Sequence, residues 1–190
     1  WAAVSAQFLS NPALPFGYFG LGPAMASALK VFAHIYEERG KPEFGIASVK
    51  IGRKSHAVTE SVVLEKPFGS LRHFRREGLP ADAPRLLIVA PMSGHYATLL
   101  RGTVARMVEN QEVWVTDWAD AKLVPLSEGT FDLDDYIDYL IEYLQFIGEG
   151  THMLAVCQPS VPAFAAAAVM GAAGDPCRPA SLTMMGGPID

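Results

Sequence analysis

The sequence predicts an α/β protein in which helices cover both faces of a mostly parallel β-sheet. From residue 85 onward, four short runs rich in apolar and β-branched residues alternate with segments of helical spacing. Successive strand–helix–strand units give parallel strands, because each crossover returns the chain to the same end of the sheet. The run at residues 85–90 is continuously apolar after its first residue, as expected for a strand buried on both faces.

Residues 1–45 are predicted to form a helical, apolar amino-terminal segment. A short helix, a Pro/Gly-rich loop over residues 11–23 and a helix over residues 24–39 are expected, with Gly40 as the stop signal. No charged residue occurs before Lys30. Prolines and glycines interrupt this stretch, whereas a membrane-spanning helix needs about 20 continuous apolar residues. We therefore predict no membrane span and no signal peptide. The segment either packs on the domain or contacts a water-insoluble substrate.

Residues 46–190 are predicted to form the sheet domain. An edge hairpin over residues 46–66 turns at residues 52–55, and residues 67–84 are expected to be a polar connection. The βαβ units occupy residues 85–190. Their strands are predicted at 85–90, 111–118, 151–156 and 181–185, and their helices at 98–109, 131–147 and 160–173.

Composition excludes several classes of function. The net charge is −5 and the basic residues are scattered, which argues against a nucleic-acid partner. The two cysteines form no disulfide framework, and no histidines pair at metal-ligand spacing. We therefore predict no metal and no cofactor. Two cysteines are also compatible with a reducing, cytoplasmic location.

Cys157 is the candidate nucleophile because it lies where a predicted buried strand turns directly into a helix. In a nucleophile elbow the reactive side chain projects from such a turn, and the residues two before and two after it must be small. Ala155 meets this requirement, while Pro159 replaces the usual glycine. A helix amino terminus stabilises a thiolate. The alternative is that Cys157 is an ordinary buried cysteine that acts as a small hydrophobic residue.

Two segments could supply an oxyanion hole. The backbone N–H of Gln158, directly after the nucleophile, is one candidate donor. The loop after the strand at 85–90 supplies the other, from Met92 or Ser93. Gly94 and His95 follow in this loop and are candidates for lining the site. His95 is a weaker candidate for the catalytic base, because that role normally comes from a later loop.

Several motifs together resemble the intracellular polyhydroxyalkanoate (poly(3-hydroxybutyrate)) depolymerases. The segments that carry this resemblance are residues 41–45, 67–68, 74–75, 90–101, 156–159 and 184–190. The resemblance implies an α/β-hydrolase-like fold related to the polyester synthases and a Cys–Asp–His triad in which Cys157 is the nucleophile. It also implies a cytoplasmic, granule-associated protein whose partner is the polyhydroxyalkanoate granule surface.

The chain is expected to be an amino-terminal fragment, truncated before the last strands of the hydrolase domain. In hydrolase chain order the acid and base follow the nucleophile. The triad Asp and His are therefore expected beyond Asp190, and neither Asp117, Asp190 nor His95 is assigned to them.

The predicted activity is cleavage of ester bonds in the storage polymer, with the fragment alone inactive. Two alternatives remain open. A polyhydroxyalkanoate synthase-like acyltransferase would use the same nucleophile and fold, and polymer formation from a hydroxyacyl-CoA would identify it. A non-catalytic granule-binding scaffold would keep only the fold, and selective labelling of Cys157 over Cys177 would argue against it. The oligomeric state is not predicted.

Overall fold

The structure is a computed structural model that describes residues 1–17, 21–37, 40–92 and 96–189. The chain divides into two compact units, residues 1–41 and residues 42–190.

The first unit is a pair of helices, α1 (Ala2–Leu9) and α2 (Gly22–Ile35), with a 3-10 turn at Pro15–Gly17 between them. The two helices pack against each other. The buried positions of the two helices are all small residues, which are Ala2, Ala6, Gly22 and Ala26. Most of their large apolar side chains are exposed, while Leu9 and Leu29 are half-buried. Helix α2 ends earlier than the predicted residue 39, which lies outside the described residues. No helix in the described ranges is long and apolar enough to cross a membrane.

The second unit is built on a seven-stranded sheet. Its strands are β1 (Ser48–Ile51), β2 (Lys54–Lys66), β3 (Gly69–Arg76), β4 (Arg85–Val89), β5 (Glu112–Trp118), β6 (His152–Val156) and β7 (Ser181–Met185). Their spatial order is β1-β2-β3-β5-β4-β6-β7. The pairs β1–β2, β2–β3 and β3–β5 are antiparallel, and the pairs β5–β4, β4–β6 and β6–β7 are parallel.

Strand β3 corrects the prediction of a polar connection over residues 67–84. The segment pairs with β2 on one side and β5 on the other, and its Leu71 and Phe74 are fully buried. The strand is not recognisable from the sequence alone, because its basic residues resemble those of a polar loop. In the fold, carboxylates on the neighbouring strands neutralise them. Arg72 donates to the carboxylates of Asp117 on β5 and Glu60 on β2. Strands β1 and β2 form an antiparallel hairpin within residues 46–66.

In the described part of the second unit, three helices cover the sheet: α3 (Arg101–Met107), α4 (Leu133–Ile147) and α5 (Ser160–Ala172). Helix α4 begins with a capping box, in which the Asp132 carboxylate accepts from the backbone N–H of Asp135 and the Asp135 carboxylate accepts from that of Asp132. One core cluster joins α4 and α5 to one face of the sheet, and a second joins α3 to the other face. The predicted α/β architecture, with a mostly parallel sheet and helices on both faces, is confirmed.

Candidate active site

Strand β4 marks the place where the sheet topology favours a site. After β4 the chain forms β5 on one side of it, and then crosses to form β6 on the other side. Ligands bind in the crevice at the carboxyl ends of the strands where the connections diverge in this way. The crevice lies at the end of β4, between the residues that follow β5 and β6.

Cys157 directly follows β6 and adopts a left-handed backbone conformation, with φ of 67°. Among the described residues, it is the one non-glycine residue with positive φ. This conformation costs an L-residue about 1–2 kcal/mol. Two hydrogen bonds hold the turn: Cys157 N–H donates to the Met185 carbonyl at 2.8 Å, and Ser160 N–H donates to the Cys157 carbonyl at 3.0 Å. The thiol is therefore exposed on a sharp strand-to-helix turn, the geometry of a nucleophile elbow.

The turn after Cys157 packs tightly against the backbone that follows β7. Pro159 and Ser160 are buried, and α5 begins at Ser160. A Cβ atom added at Gly187 would overlap the Ser160 side chain and lie 2.8 Å from the Cys157 carbonyl oxygen. Only glycine therefore fits after β7 at this point, because the start of α5 approaches the backbone closely. In addition, Ala163 and Ala166 of α5 are fully buried, and such small residues allow the helix to lie close to the sheet.

The loop after β4 is anchored at Ala90 from both sides. The Ala90 N–H donates to Thr116 Oγ1 at 2.9 Å, and the Ala90 carbonyl accepts from Trp118 Nε1 at 2.8 Å. The Tyr136 hydroxyl donates to the same carbonyl at 3.4 Å. Burial raises the pKa of Tyr136 far above its usual range, so this hydroxyl stays protonated. These contacts fix the backbone that leads into Pro91 and Met92.

Met92 and Gln158, two of the predicted oxyanion-hole residues, are in direct contact. The Met92 backbone N–H donates to the Gln158 side-chain oxygen Oε1 at 3.2 Å. Gln158 is the residue after Cys157, so the loop that follows β4 contacts the turn that carries the candidate nucleophile. Ser93, Gly94 and His95 lie outside the described residues, as does Asp190.

A cavity of about 450 Å³ opens at the same end of the sheet. It is lined by the last residue of β5 and by residues that follow β4 and β5, which are Met92, Tyr96, Trp118, Ala119, Asp120, Ala121 and Lys122. Met92 belongs both to this cavity and to the contact with Gln158. The cavity therefore lies next to the segment that carries the candidate oxyanion donor.

The sequence reasoning missed the contribution of β5 to this site. Thr116 and Trp118 hold the loop, and residues 118–122 line the cavity, yet the end of β5 was not nominated. The sequence signal for this contribution was the end of β5, where Thr116, Asp117 and Trp118 follow apolar residues. The topology was needed to use it, because β5 lies next to β4 only through the order of strands in the sheet.

Other polar groups considered from the sequence have structural partners. The carboxylate of Asp117 is buried and bonded to Arg72 at 2.5 Å. Burial tends to lower the pKa of Arg72, but hydrogen bonds and charges from Asp117 and Glu60 raise it above its usual value. On the same strand, Arg75 pairs with Glu112 at 2.8 Å and Arg76 Nε donates to the Glu109 carbonyl at 2.6 Å.

The histidines within the described ranges are dispersed rather than grouped. His73 contacts Glu112 at 2.8 Å, and His152 contacts Ser181 at 2.8 Å. His34 lies in the first unit. Within those same ranges, no group of three or more His, Cys, Asp or Glu side chains could hold a metal ion.

Comparisons with known proteins show similarity at the level of the fold alone. No family model matches the chain, and no curated protein matches it. Solved structures do match. A hypothetical protein from Pseudomonas aeruginosa aligns with a TM-score of 0.50 and 12% identity, covering 78% of this chain and 47% of that one.

Two further solved structures are similar at lower TM-scores. A bacterial membrane phospholipase A has a TM-score of 0.49 and 18% identity, covering 69% of this chain and 40% of that one. Brefeldin A esterase, a bacterial homologue of human hormone-sensitive lipase, has a TM-score of 0.48 and 13% identity, covering 95% of this chain and 54% of that one. The chain thus spans about half the length of these structures.

The strand order, the antiparallel strands at one edge, and the elbow after β6 together define the architecture. The chain has an α/β-hydrolase-like fold.

Proposed function

We propose that this chain is the amino-terminal part of an intracellular polyhydroxyalkanoate depolymerase, an ester hydrolase with Cys157 as its nucleophile. The observation that carries the proposal is the exposed thiol of Cys157 on a strained left-handed turn between a buried strand and a helix. A residue retained at positive φ without being glycine is typical of a functional position. The motifs shared with the depolymerases supply the substrate class.

In the proposed reaction, the Cys157 thiolate attacks the carbonyl carbon of an ester in the polymer. The tetrahedral oxyanion accepts hydrogen bonds from the backbone N–H groups of Gln158 and Met92. The C–O bond then breaks, the released alkoxide takes a proton from the catalytic His, and a thioester to Cys157 remains. Water then gives a proton to the neutral His and attacks this thioester. The C–S bond breaks, which releases the hydroxyacid and restores the Cys157 thiolate and the protonated His.

The remaining members of the triad belong to the part of the protein beyond Asp190 in this proposal. A carboxylate such as Asp117 is unsuited to orient the base, because Arg72 binds it inside the sheet.

Ser93 is the second candidate for the loop donor, and Gly94 and His95 are proposed to line the site. The cavity beside Met92 is proposed to hold the part of the polyester chain next to the scissile bond, since Tyr96 and Trp118 offer apolar surface to it.

The first unit is proposed to bind the granule surface. Its helices bury alanine and glycine and expose large apolar side chains: Trp1, Val4, Phe8, Leu21, Met25, Val31, Phe32, Ile35 and Tyr36. Large apolar side chains exposed in this number on a small unit favour contact with an apolar partner. A cytoplasmic, granule-associated enzyme follows from this proposal.

The test is cleavage of amorphous polyhydroxybutyrate granules by the full-length protein, with Cys157→Ala beside the wild type. We expect the variant to lose at least about 1000-fold in rate, because removal of a nucleophile leaves only binding and the oxyanion hole. Cys177→Ala is the matched control and should retain activity. Full activity of Cys157→Ala would refute the proposed nucleophile.

A further inference from the structure

The Gln158 side chain occupies the position where the proposed hole should receive a substrate oxygen. Its Oε1 accepts from the Met92 backbone N–H at 3.2 Å, and Gln158 itself immediately follows the candidate nucleophile. The acceptor must be the carbonyl oxygen of the side-chain amide, because an N–H group cannot bond to the amide nitrogen in this way. This oxygen is an sp² carbonyl oxygen, as is that of an ester.

We propose that the Gln158 side-chain carbonyl closes the oxyanion hole while the site is empty, and that the ester carbonyl of the substrate must displace it. This inference rests on the proposed function, and it adds that the side chain of Gln158 limits substrate affinity. The backbone N–H of the same residue remains an oxyanion donor.

The surroundings of Gln158 permit such a displacement. The residue is exposed, and it lies in the turn before α5 rather than within the helix. The bond to Met92 is the one side-chain hydrogen bond of Gln158 among the described residues. The side chain can therefore rotate into solvent without breaking a second hydrogen bond to a described residue. The Met92 donor, in contrast, is fixed, because Ala90 is anchored to Thr116 and Trp118.

The contact also has a function in the empty site. Without this acceptor, the Met92 N–H would have no hydrogen-bond partner among the described residues. The Gln158 carbonyl therefore satisfies the donor of the proposed hole until a substrate oxygen replaces it. The consequence is competition, since every substrate must replace this hydrogen bond before it can react.

A pair of substitutions tests the competition in opposite directions. Gln158→Asn shortens the side chain by one methylene, so its carbonyl no longer reaches Met92. Gln158→Glu keeps the length and offers a charged acceptor, which forms the stronger hydrogen bond. Both variants retain the backbone N–H at this position. The measurement is steady-state hydrolysis of a soluble 3-hydroxybutyrate ester by the full-length protein.

The Gln158 carbonyl opposes binding of the substrate oxygen equally in the ground state and in the transition state. Competition of this kind changes KM rather than kcat. We expect Gln158→Asn to lower KM by roughly 2- to 10-fold, the range of one net hydrogen bond, and Gln158→Glu to raise it. A lower kcat at unchanged KM in Gln158→Asn would overturn the inference, because the side chain would then act in the reaction itself. Unchanged KM in both variants would also overturn it.

The result is separable from the test of the nucleophile. If Cys157→Ala is inactive while the Gln158 variants leave KM unchanged, the nucleophile stands and this inference alone fails. If Cys157→Ala remains active, the proposed function fails whatever the Gln158 variants do. Matching unfolding midpoints for the Gln158 variants and the wild type would show that the exposed substitutions leave the fold intact.

Discussion

At the residue scale, Cys157 combines an unfavourable backbone conformation with a proposed chemical role. Its φ of 67° suits glycine better than any residue with a side chain. The exposed thiol contributes little packing that could offset this strain. Retention of a side chain here is understandable if the thiol is needed for the reaction.

This conflict predicts that Cys157→Gly makes the protein more stable and inactive. Relief of the left-handed strain outweighs the greater entropy of glycine in the unfolded chain, so the free energy of unfolding should rise by about 0.5–1 kcal/mol. Denaturant unfolding of the variant beside the wild type measures this difference. Cys157→Ala is the control, because it removes the thiol and keeps the strain. A Cys157→Gly protein less stable than Cys157→Ala would contradict this interpretation of the turn.

The sequence was most informative about this residue because the elbow is a local pattern. A strand, a small residue, a cysteine and a proline-bounded helix start are all adjacent in the chain. The contact between Gln158 and Met92 was not predictable in the same way. It joins residues from two different strand ends, and it depends on the rotamer of one exposed side chain.

At the scale of elements, the predictions succeeded where a helix or strand carries its own signal. Helix α4 has an acidic cap at Asp132 and an apolar face over fifteen residues, and both were visible in the sequence. Strand β3 was missed because its stability depends on partners. Its basic residues become compatible with a central strand only when Asp117, Glu60 and Glu112 lie on the neighbouring strands.

The junction of β7 with α5 gives a second prediction, for Gly187→Ala. The new methyl group would overlap the Ser160 side chain, and the start of α5 would have to move. We expect a loss of about 1–3 kcal/mol in the free energy of unfolding, typical of overpacking. Because the same shift displaces Cys157, the rate of ester cleavage should fall as well.

Gly171→Ala is the matched control for this substitution. Gly171 lies in α5, and no atom is within 4 Å of a Cβ added there. Alanine in the helix should raise the free energy of unfolding by up to about 1 kcal/mol. Equal stability of the Gly187→Ala and wild-type proteins in thermal or denaturant unfolding would show that the approach of α5 to β7 is looser than described.

At the scale of the whole molecule, the chain combines a unit of hydrolase-like fold with a helix pair of unusual polarity. The domain supplies a thiol, candidate oxyanion donors and a cavity at one end of its sheet. The helix pair exposes apolar residues where most surface helices expose charges. An insoluble polyester as substrate would account for both features.

The proposed role of the helix pair predicts weaker granule binding by a Phe8→Gln, Phe32→Gln variant. Each substitution removes an exposed aromatic ring from the apolar surface. Because burial of one such side chain contributes about 1.5–3 kcal/mol, granule affinity in a sedimentation assay should fall about tenfold or more. Phe164→Gln is the control, since Phe164 is similarly exposed on α5 of the second unit. Equal binding by all three proteins would exclude the helix pair as the granule surface.

The most direct test of the central claim is to identify the atom that is acylated during the reaction. The full-length protein would be mixed with an activated 3-hydroxybutyrate ester, quenched in acid and mapped by peptide mass spectrometry. We predict one hydroxyacyl group per chain, attached to the peptide containing Cys157 and released by neutral hydroxylamine, as expected for a thioester. An acyl group on a serine or on Cys177, with Cys157 unmodified, would contradict the assignment of Cys157 as the nucleophile.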